Sequence, residues 1–437
     1  PNEKRPNVNI CPICLAHPGT LPVPNKKAIE QVIRVGLSVG GKIADYTEMD
    51  RKNYFYPDIP KGYQLSQYKY PLVTGGELAG VALTRIHIEE DTARSIHNDK
   101  TGESLVDFNR AGVPLMELVT EPVITSAKQA ADFAKELQLL LSPLYLDVSE
   151  ANMEKGELRV EANISINMGT KVEIKNLNSF RAVERAIEFE TKRQAELLEK
   201  GELVVQETRG WDEDEGVTFS QRKKESSHDY RYFPDPDIPK LWLSKIPEFQ
   251  NLKNILPELP IAKRERYANQ FGLKSEEIEI FVTDNAMGDL FERSVEMLGG
   301  EKMAVKTLSN YLTSDLMGLA KNGEIKTWPK PEDLAELVKM INGGELSSRG
   351  GKDILVRLVT EGGSPKQWAE KLDLFQKSDE GELLKIIEQV IANNVSQFAD
   401  LKAGNEKVLQ FLVGQGMKLS KGSANPGILA DLFRKKI

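Results

Sequence analysis

Cysteine is close to absent. Cys11 and Cys14 are the only two in 437 residues. That is too few for a disulfide scaffold and points to a reducing compartment, read here as the cytoplasm. No apolar run reaches the length of a membrane span, and no targeting pattern stands at the front of the chain. A Walker-type phosphate loop is missing as well. Gly350-Gly351-Lys352 is followed by Asp353 where Ser or Thr is required, and the first glycine of that pattern would fall on Leu346. Positive charge is in deficit, with 58 Lys and Arg against 66 Asp and Glu for a net charge of −8. This excludes a wholly basic nucleic-acid binder.

What is present describes a globular protein of two to four domains, 40% apolar and 28% charged. Charge is unevenly spread. From Leu401 to Ile437, Lys402, Lys407, Lys418, Lys421, Arg434, Lys435 and Lys436 face only Glu406 and Asp431, so a basic tail ends an acidic chain. The chain starts at Pro1 and not at Met, which reads as a fragment or a processed form.

Cys11-Pro12-Ile13-Cys14 supplies half of a tetrahedral zinc site, with His17 as the only nearby further ligand. Two structural thiols or an orphaned half-site is the preferred reading. Asn25 caps a helix whose Ala28, Ile29, Val32, Ile33 and Leu37 share one face, ending at Gly40-Gly41. The stretch 53–63 is punctuated by Pro and carries Tyr54, Phe55, Tyr56 and Tyr63. Those aromatics suit stacking on an RNA base, or equally the packed underside of a long loop. Gly75-Gly76 marks a hairpin turn into a strand bearing His87, Glu89 and Glu90, and 105–122 reads as a loop with a short strand. Ser126 with Gln129 opens a helix that stops at Pro143, and a longer helix spans about 180–200 with Gly201 beyond its end. The region 205–240 reads as polar loop, and from about residue 256 the patterns are helical, with stops at Gly299-Gly300, Gly323 and Gly343-Gly344.

The clearest local chemistry lies between Arg159 and Lys175. Ala162, Ile164, Ile166 and Met168 alternate with Glu161, Asn163, Ser165 and Asn167, and Val172 and Ile174 with Lys171, Glu173 and Lys175. A three-residue loop, Met168 to Thr170 with Gly169 at positive φ, would set Ser165 opposite Glu173 and Asn163 opposite Lys175. The resulting face carries Arg159, Glu161, Lys171, Glu173 and Lys175 together. Interleaved carboxylates and cations suit hydrated Mg²⁺ and a polyphosphate. An ordinary solvated sheet face laced with ion pairs looks the same in sequence.

Several runs in order resemble the B-subunit family of bacterial aspartyl/glutamyl-tRNA amidotransferases. The most specific is Leu105-Val106-Asp107-Phe108-Asn109-Arg110-Ala111-Gly112-Val113-Pro114-Leu115-Met116-Glu117. Others are Asp50-Arg51-Lys52-Asn53-Tyr54-Phe55-Tyr56-Pro57, His87-Ile88-Glu89-Glu90-Asp91, Glu173-Ile174-Lys175-Asn176, Gln206-Glu207-Thr208-Arg209 and Asp229-Tyr230-Arg231-Tyr232-Phe233-Pro234. The resemblance implies an α+β fold: a kinase-like mixed-sheet cradle (1–245), an all-helical domain (246–372) and a small helical YqeY-like tail (373–437). It also implies that ATP phosphorylates the side-chain carboxylate of a glutamate or aspartate mischarged onto tRNA for glutamine or asparagine. Ammonia from a glutaminase A subunit then displaces the phosphate, with a small C subunit completing the assembly. No Ser, Lys or Cys constellation for glutaminase work stands out in this chain, in keeping with an outside ammonia source.

Carried onto this sequence, Glu90, Glu161 and Glu173 are implied Mg²⁺ ligands, with Glu117 and Glu150 behind them. His87 and Asn163 orient carboxylates, Lys175, Arg159 and Lys171 contact phosphate, and Lys407, Lys418 and Lys421 lie near tRNA phosphates. In a regular strand Glu90 would instead face away from His87 and Glu89. The family's Gly-Leu-Glu-x-His strand has no match here, nor does the Cys-x-Cys that pairs with the later Cys-x-x-Cys for zinc. Ala93-Arg94 also stands where Gly-Lys is more usual. A non-catalytic tRNA-binding scaffold and an unrelated Mg²⁺-dependent phosphoryl transferase are the rival readings.

Overall fold

Helix Lys26–Ser38 shows how the N-terminal sheet is covered. The Asn25 side chain accepts from the Ala28 amide and caps it, while Ile29, Val32 and Ile33 turn inward. At Gly36 an added Cβ would lie 2.5 Å from Val73, so glycine lets the helix settle on the sheet. The computed structural model describes residues 3–98, 100–223, 230–376, 380–420 and 424–437. It divides into two compact units, Pro1–Pro260 and Ile261–Ile437.

The first unit is organised around strand Val81–Glu90. Val73–Thr74 and Glu77–Leu78 pair with it on one side and Pro114–Thr120 on the other, all antiparallel. Its inward face adds Val81, Leu83, Ile86 and Ile88 to a core shared with Leu72, Val73 and Leu146. Beside it stands a small sheet of Asp50–Asn53, Tyr63–Ser66 and Phe233–Pro234. A separate four-stranded sheet runs Val160–Ile164, Val172–Leu177, Glu207–Asp212, Val217–Lys223. Its middle pair is parallel, with helix Phe180–Glu199 between them in sequence. The second unit is helical. Phe281 stacks on Phe291 at 4.2 Å in one core, and Leu383, Ile387, Leu412, Leu429 and Phe433 form another.

The structure corrects the sequence at several places. Asn163 pairs with Glu173 and not with Lys175, and the strands close on a loop over 165–171. Asn167 and Met168 take the positive φ expected of Gly169, so the turn begins earlier. Because the slip is an even number of residues, the polar face is preserved. Gly75 and Gly76 bend the chain between two short strands, and the hairpin turn itself is Ala79-Gly80, both at positive φ. Within 105–122, Glu103–Asp107 and Pro114–Thr120 are full strands, and Pro114 sits at the first position, where a missing N–H is tolerated. The polar region 205–240 contains Glu207–Asp212 and Val217–Lys223. Their polar side chains are satisfied by one another and by helix Phe180–Glu199: Arg209 donates to Glu207 at 2.6 Å and to Thr218 at 2.8 Å, and Thr218 donates at 3.0 Å to fully buried Glu190 of the helix, which also accepts from Arg193 at 2.6 Å. Polarity there marked an internal ion network, not solvent. The Gly350-Gly351-Lys352 run lies in helix Ser348–Glu361, where Lys352 pairs with Asp315.

Candidate active site

The register of Val81–Glu90 slips between Leu83 and Arg85, and from there the alternation sends Arg85, His87 and Glu89 to one face and Ile86, Ile88 and Glu90 to the other. Pairing is regular from Val119↔Arg85 to Pro114↔Glu90, so no bulge interrupts that alternation. Glu117 stands directly opposite His87. One ligand atom from each of His87, Glu89 and Glu117 lies within 4.8 Å of the others, the only such group of three among the described residues. His87 is 3% exposed and Glu89 7%.

Burial sets the protonation of this cluster. It draws the His87 imidazolium down to about 3, helped by the neighbouring cations Arg85 and Lys52, so the ring is neutral near pH 7. Burial also pushes the Glu89 carboxyl up to about 7, with Glu117 and Asp91 reinforcing the shift and Lys52 and a hydrogen bond from Ser66 opposing it. Ser66 Oγ donates to Glu89 Oε2 at 3.2 Å. His87 Nδ1 is buried with no hydrogen-bond partner. A neutral imidazole with an unsatisfied nitrogen beside two carboxylates is a donor set that fits a divalent cation.

Glu90 is engaged elsewhere. Lys61 Nζ donates to its Oε2 at 2.6 Å and the Leu65 amide to its Oε1 at 2.9 Å, on the face away from His87. Glu161 and Glu173 do share a face, on the second sheet. Lys175 Nζ lies 3.0 Å from Glu161 and 4.0 Å from Glu173, and Thr208 Oγ1 donates to Glu173 at 2.8 Å. Burial acts to lower the Lys175 pKa, but these two carboxylates outweigh it and raise the ammonium. Asn163 lies beside Glu173 by register, and Lys171 is exposed at the strand's approach. Arg159 joins neither group directly. It and Arg110 both pair with buried Asp91 at 2.8 Å. Glu150 is exposed and paired with Lys155 at 2.9 Å.

Aromatic rings border the cluster. Lys52 Nζ sits 4.9 Å from the Tyr230 ring centre, Tyr54 lies 6.0 Å from Tyr230, and Tyr68 stacks on Tyr232 at 4.7 Å. Tyr54 and Tyr63 turn inward while Phe55 and Tyr56 are exposed, so the aromatic loop divides between packing and surface. Cys11 and Cys14 stand with sulfurs 2.9 Å apart, and no third His, Cys, Asp or Glu among the described residues completes a metal group with them. Lys407 opens and Lys418 closes the helix Lys407–Leu419 at exposed positions, while Lys421 lies outside the described residues.

Glu89, Arg85 and Lys52 are the site residues that motif reading passed over. The signal for Glu89 was present in the strand period, which puts it with His87 and excludes Glu90.

Comparison with known proteins agrees with this layout. Residues 1–246 match the GatB/GatE catalytic domain model, and residues 289–437 match a GatB domain model. Three curated relatives each bear the name of the B subunit of aspartyl/glutamyl-tRNA(Asn/Gln) amidotransferase. The protein from Persephonella marina is 44% identical over 98% of this chain and 93% of its own length. That from Rippkaea orientalis is 42% identical over 100% and 92%, and that from Caldanaerobacter subterraneus 42% over 99% and 93%. A sheet-rich N-terminal unit, a helical remainder and near full-length identity of this order lead to one conclusion: the chain belongs to the GatB/GatE family.

Proposed function

We propose that this chain is the amide-forming subunit of a tRNA amidotransferase, phosphorylating the side-chain carboxylate of Glu-tRNA(Gln), Asp-tRNA(Asn) or both, and directing ammonia onto the acyl phosphate. The observation that carries the reading is the His87–Glu89–Glu117 cluster, with buried His87 and Glu89 and half-buried Glu117 bringing an orphaned imidazole nitrogen and two carboxylates together on one sheet face. His87, Glu89 and Glu117 would hold Mg²⁺, and a bound divalent cation supplies charge neutralisation for the transferring phosphoryl group. A carboxylate is a poor electrophile, and phosphorylation gives it a leaving group. Most of the barrier is met by positioning and fixed charge. Glu161, Glu173 and Lys175 form a second charged face in the same unit, suited to the acyl end or to a further cation. Ammonia would come from a glutaminase A subunit, with a small C subunit in the assembly, and the exposed tail lysines Lys407 and Lys418 would meet tRNA phosphates. We retain the division into a cradle (1–245), a helical domain (246–372) and a tail (373–437) as part of the same proposal.

The test is phosphate release from ATP by the assembled subunits, with and without mischarged tRNA. Release should require both Mg²⁺ and that tRNA, and Glu117→Gln should lower it by about 10²-fold or more, the usual scale for losing one preorganised electrostatic group. Tight tRNA binding with no ATP turnover would instead identify a scaffold.

A further inference from the structure

Arg85 shares the strand face of His87 and Glu89 one pleat period away, yet its cross-strand neighbours are Val119 and Thr74, which offer no charge. It is half-buried, its Nε is sealed from solvent without a partner, and it has no ion-pair partner among the described residues. A guanidinium drawn partly out of water without compensation is costly. Several other arginines of this unit are placed differently: Arg51 is paired to Asp235, Arg110 and Arg159 to Asp91, and Arg209 to Glu207, while Arg34, whose Nε is also unpartnered, donates through Nη1 to Gln31 at 2.8 Å. Lys52, on the neighbouring strand Asp50–Asn53, is likewise half-buried; its charge bears on Glu89, but it forms no close ion pair among the described residues and its ammonium rests near the Tyr230 ring. Both cations are close enough to bear on His87.

Charge accounting then points to an anion. With a divalent cation bound, Glu89 and Glu117 would be offset by it, and Arg85 and Lys52 would be left uncompensated on the rim of the cluster. A terminal phosphoryl group carries the matching charge, and a planar guanidinium fork is suited to binding phosphate oxygens through paired hydrogen bonds. We infer that Arg85 binds the terminal phosphate of ATP beside the His87–Glu89–Glu117 cluster, with Lys52 as the second cation. This rests on the phosphoryl-transfer reading above and names the residues that distinguish ATP from its product.

The experiment is calorimetric titration of the full chain with ATP and, separately, with ADP, both with Mg²⁺. Wild type should prefer ATP. Arg85→Gln should weaken ATP about 10- to 100-fold, the range for removing one charge-assisted hydrogen bond, and leave ADP unchanged. Arg85→Lys should keep part of the preference, because charge survives and the fork does not. Lys52→Gln should show a smaller loss in the same direction. Circular dichroism checks the fold, and Arg85→Lys carries the test should Arg85→Gln fail to fold. If Arg85→Gln weakens ATP and ADP alike, or neither, the inference is overturned while phosphoryl transfer stands. If wild type binds neither nucleotide, both readings fall.

Discussion

His87 and Glu89 titrate in opposite senses for one reason: each is held in its neutral form by burial. The acid-side consequence falls on His87. Its folded pKa of about 3 lies below the ordinary 6.5, so its stabilisation is present above pH 6.5 and is lost as pH falls toward 3. Glu89 runs the other way. Its folded pKa of about 7 exceeds the ordinary 4.5, so stability is greatest below 4.5 and declines as pH rises through 7. At pH 8 the metal-free protein therefore carries an ionised, buried carboxylate that costs on the order of 3 kcal/mol. Glu89→Gln should accordingly raise the melting temperature of metal-free protein at pH 8 and do much less at pH 5. The same substitution should abolish stabilisation by added Mg²⁺. Thermal unfolding at the two pH values, with and without Mg²⁺, decides both. A variant that gains stability while losing its ligand is what a site built for function predicts.

At the scale of elements, glycine does different work in different places. Gly36 admits a helix to a sheet, and Gly351 admits one helix to another. A Cβ at Gly351 would lie 2.5 Å from Tyr311 Oη and 2.6 Å from Ile341 Cδ1. Gly351→Ala should therefore destabilise the helical unit by about 1–3 kcal/mol, the usual cost of overpacking. It should leave nucleotide affinity untouched, since the Gly-Gly-Lys run is helix packing and not a phosphate loop. Urea denaturation beside a nucleotide titration separates the two effects. The hairpin at 160–177 teaches a related lesson. Period-2 alternation correctly gave its faces, but loop length was set by Asn167 and Met168 adopting left-handed backbone, which residue type does not announce.

Across the whole molecule, an acidic catalytic unit and a basic tail divide the work in the proposed function. Phosphate binding by the tail should show as counterion release. The double substitution Lys407→Gln/Lys418→Gln should weaken tRNA binding without changing ATP affinity. It should lower the slope of log affinity against log salt by about 1.5, near 0.7–0.9 for each phosphate no longer neutralised. An unchanged slope would remove these lysines from the tRNA interface. No helix among the described residues is long and apolar enough to cross a membrane.

Family, fold class and the helical character of the second half were legible in the sequence, because long runs of residue identity and a 3.6-residue apolar period survive without knowledge of neighbours. So was the pairing of His87 with Glu89, which follows from strand period alone. What only the tertiary structure decided is which carboxylates meet. Glu117 comes opposite His87 because two strands distant in sequence pair in one register, and Glu90 is claimed by Lys61 on the other face. The strands within 205–240 were hidden for the same reason. Charged residues look like surface until the fold supplies Glu190, Arg193, Glu207 and Arg209 with one another. Local pattern determines which way a side chain points, and only long-range pairing determines what it finds there.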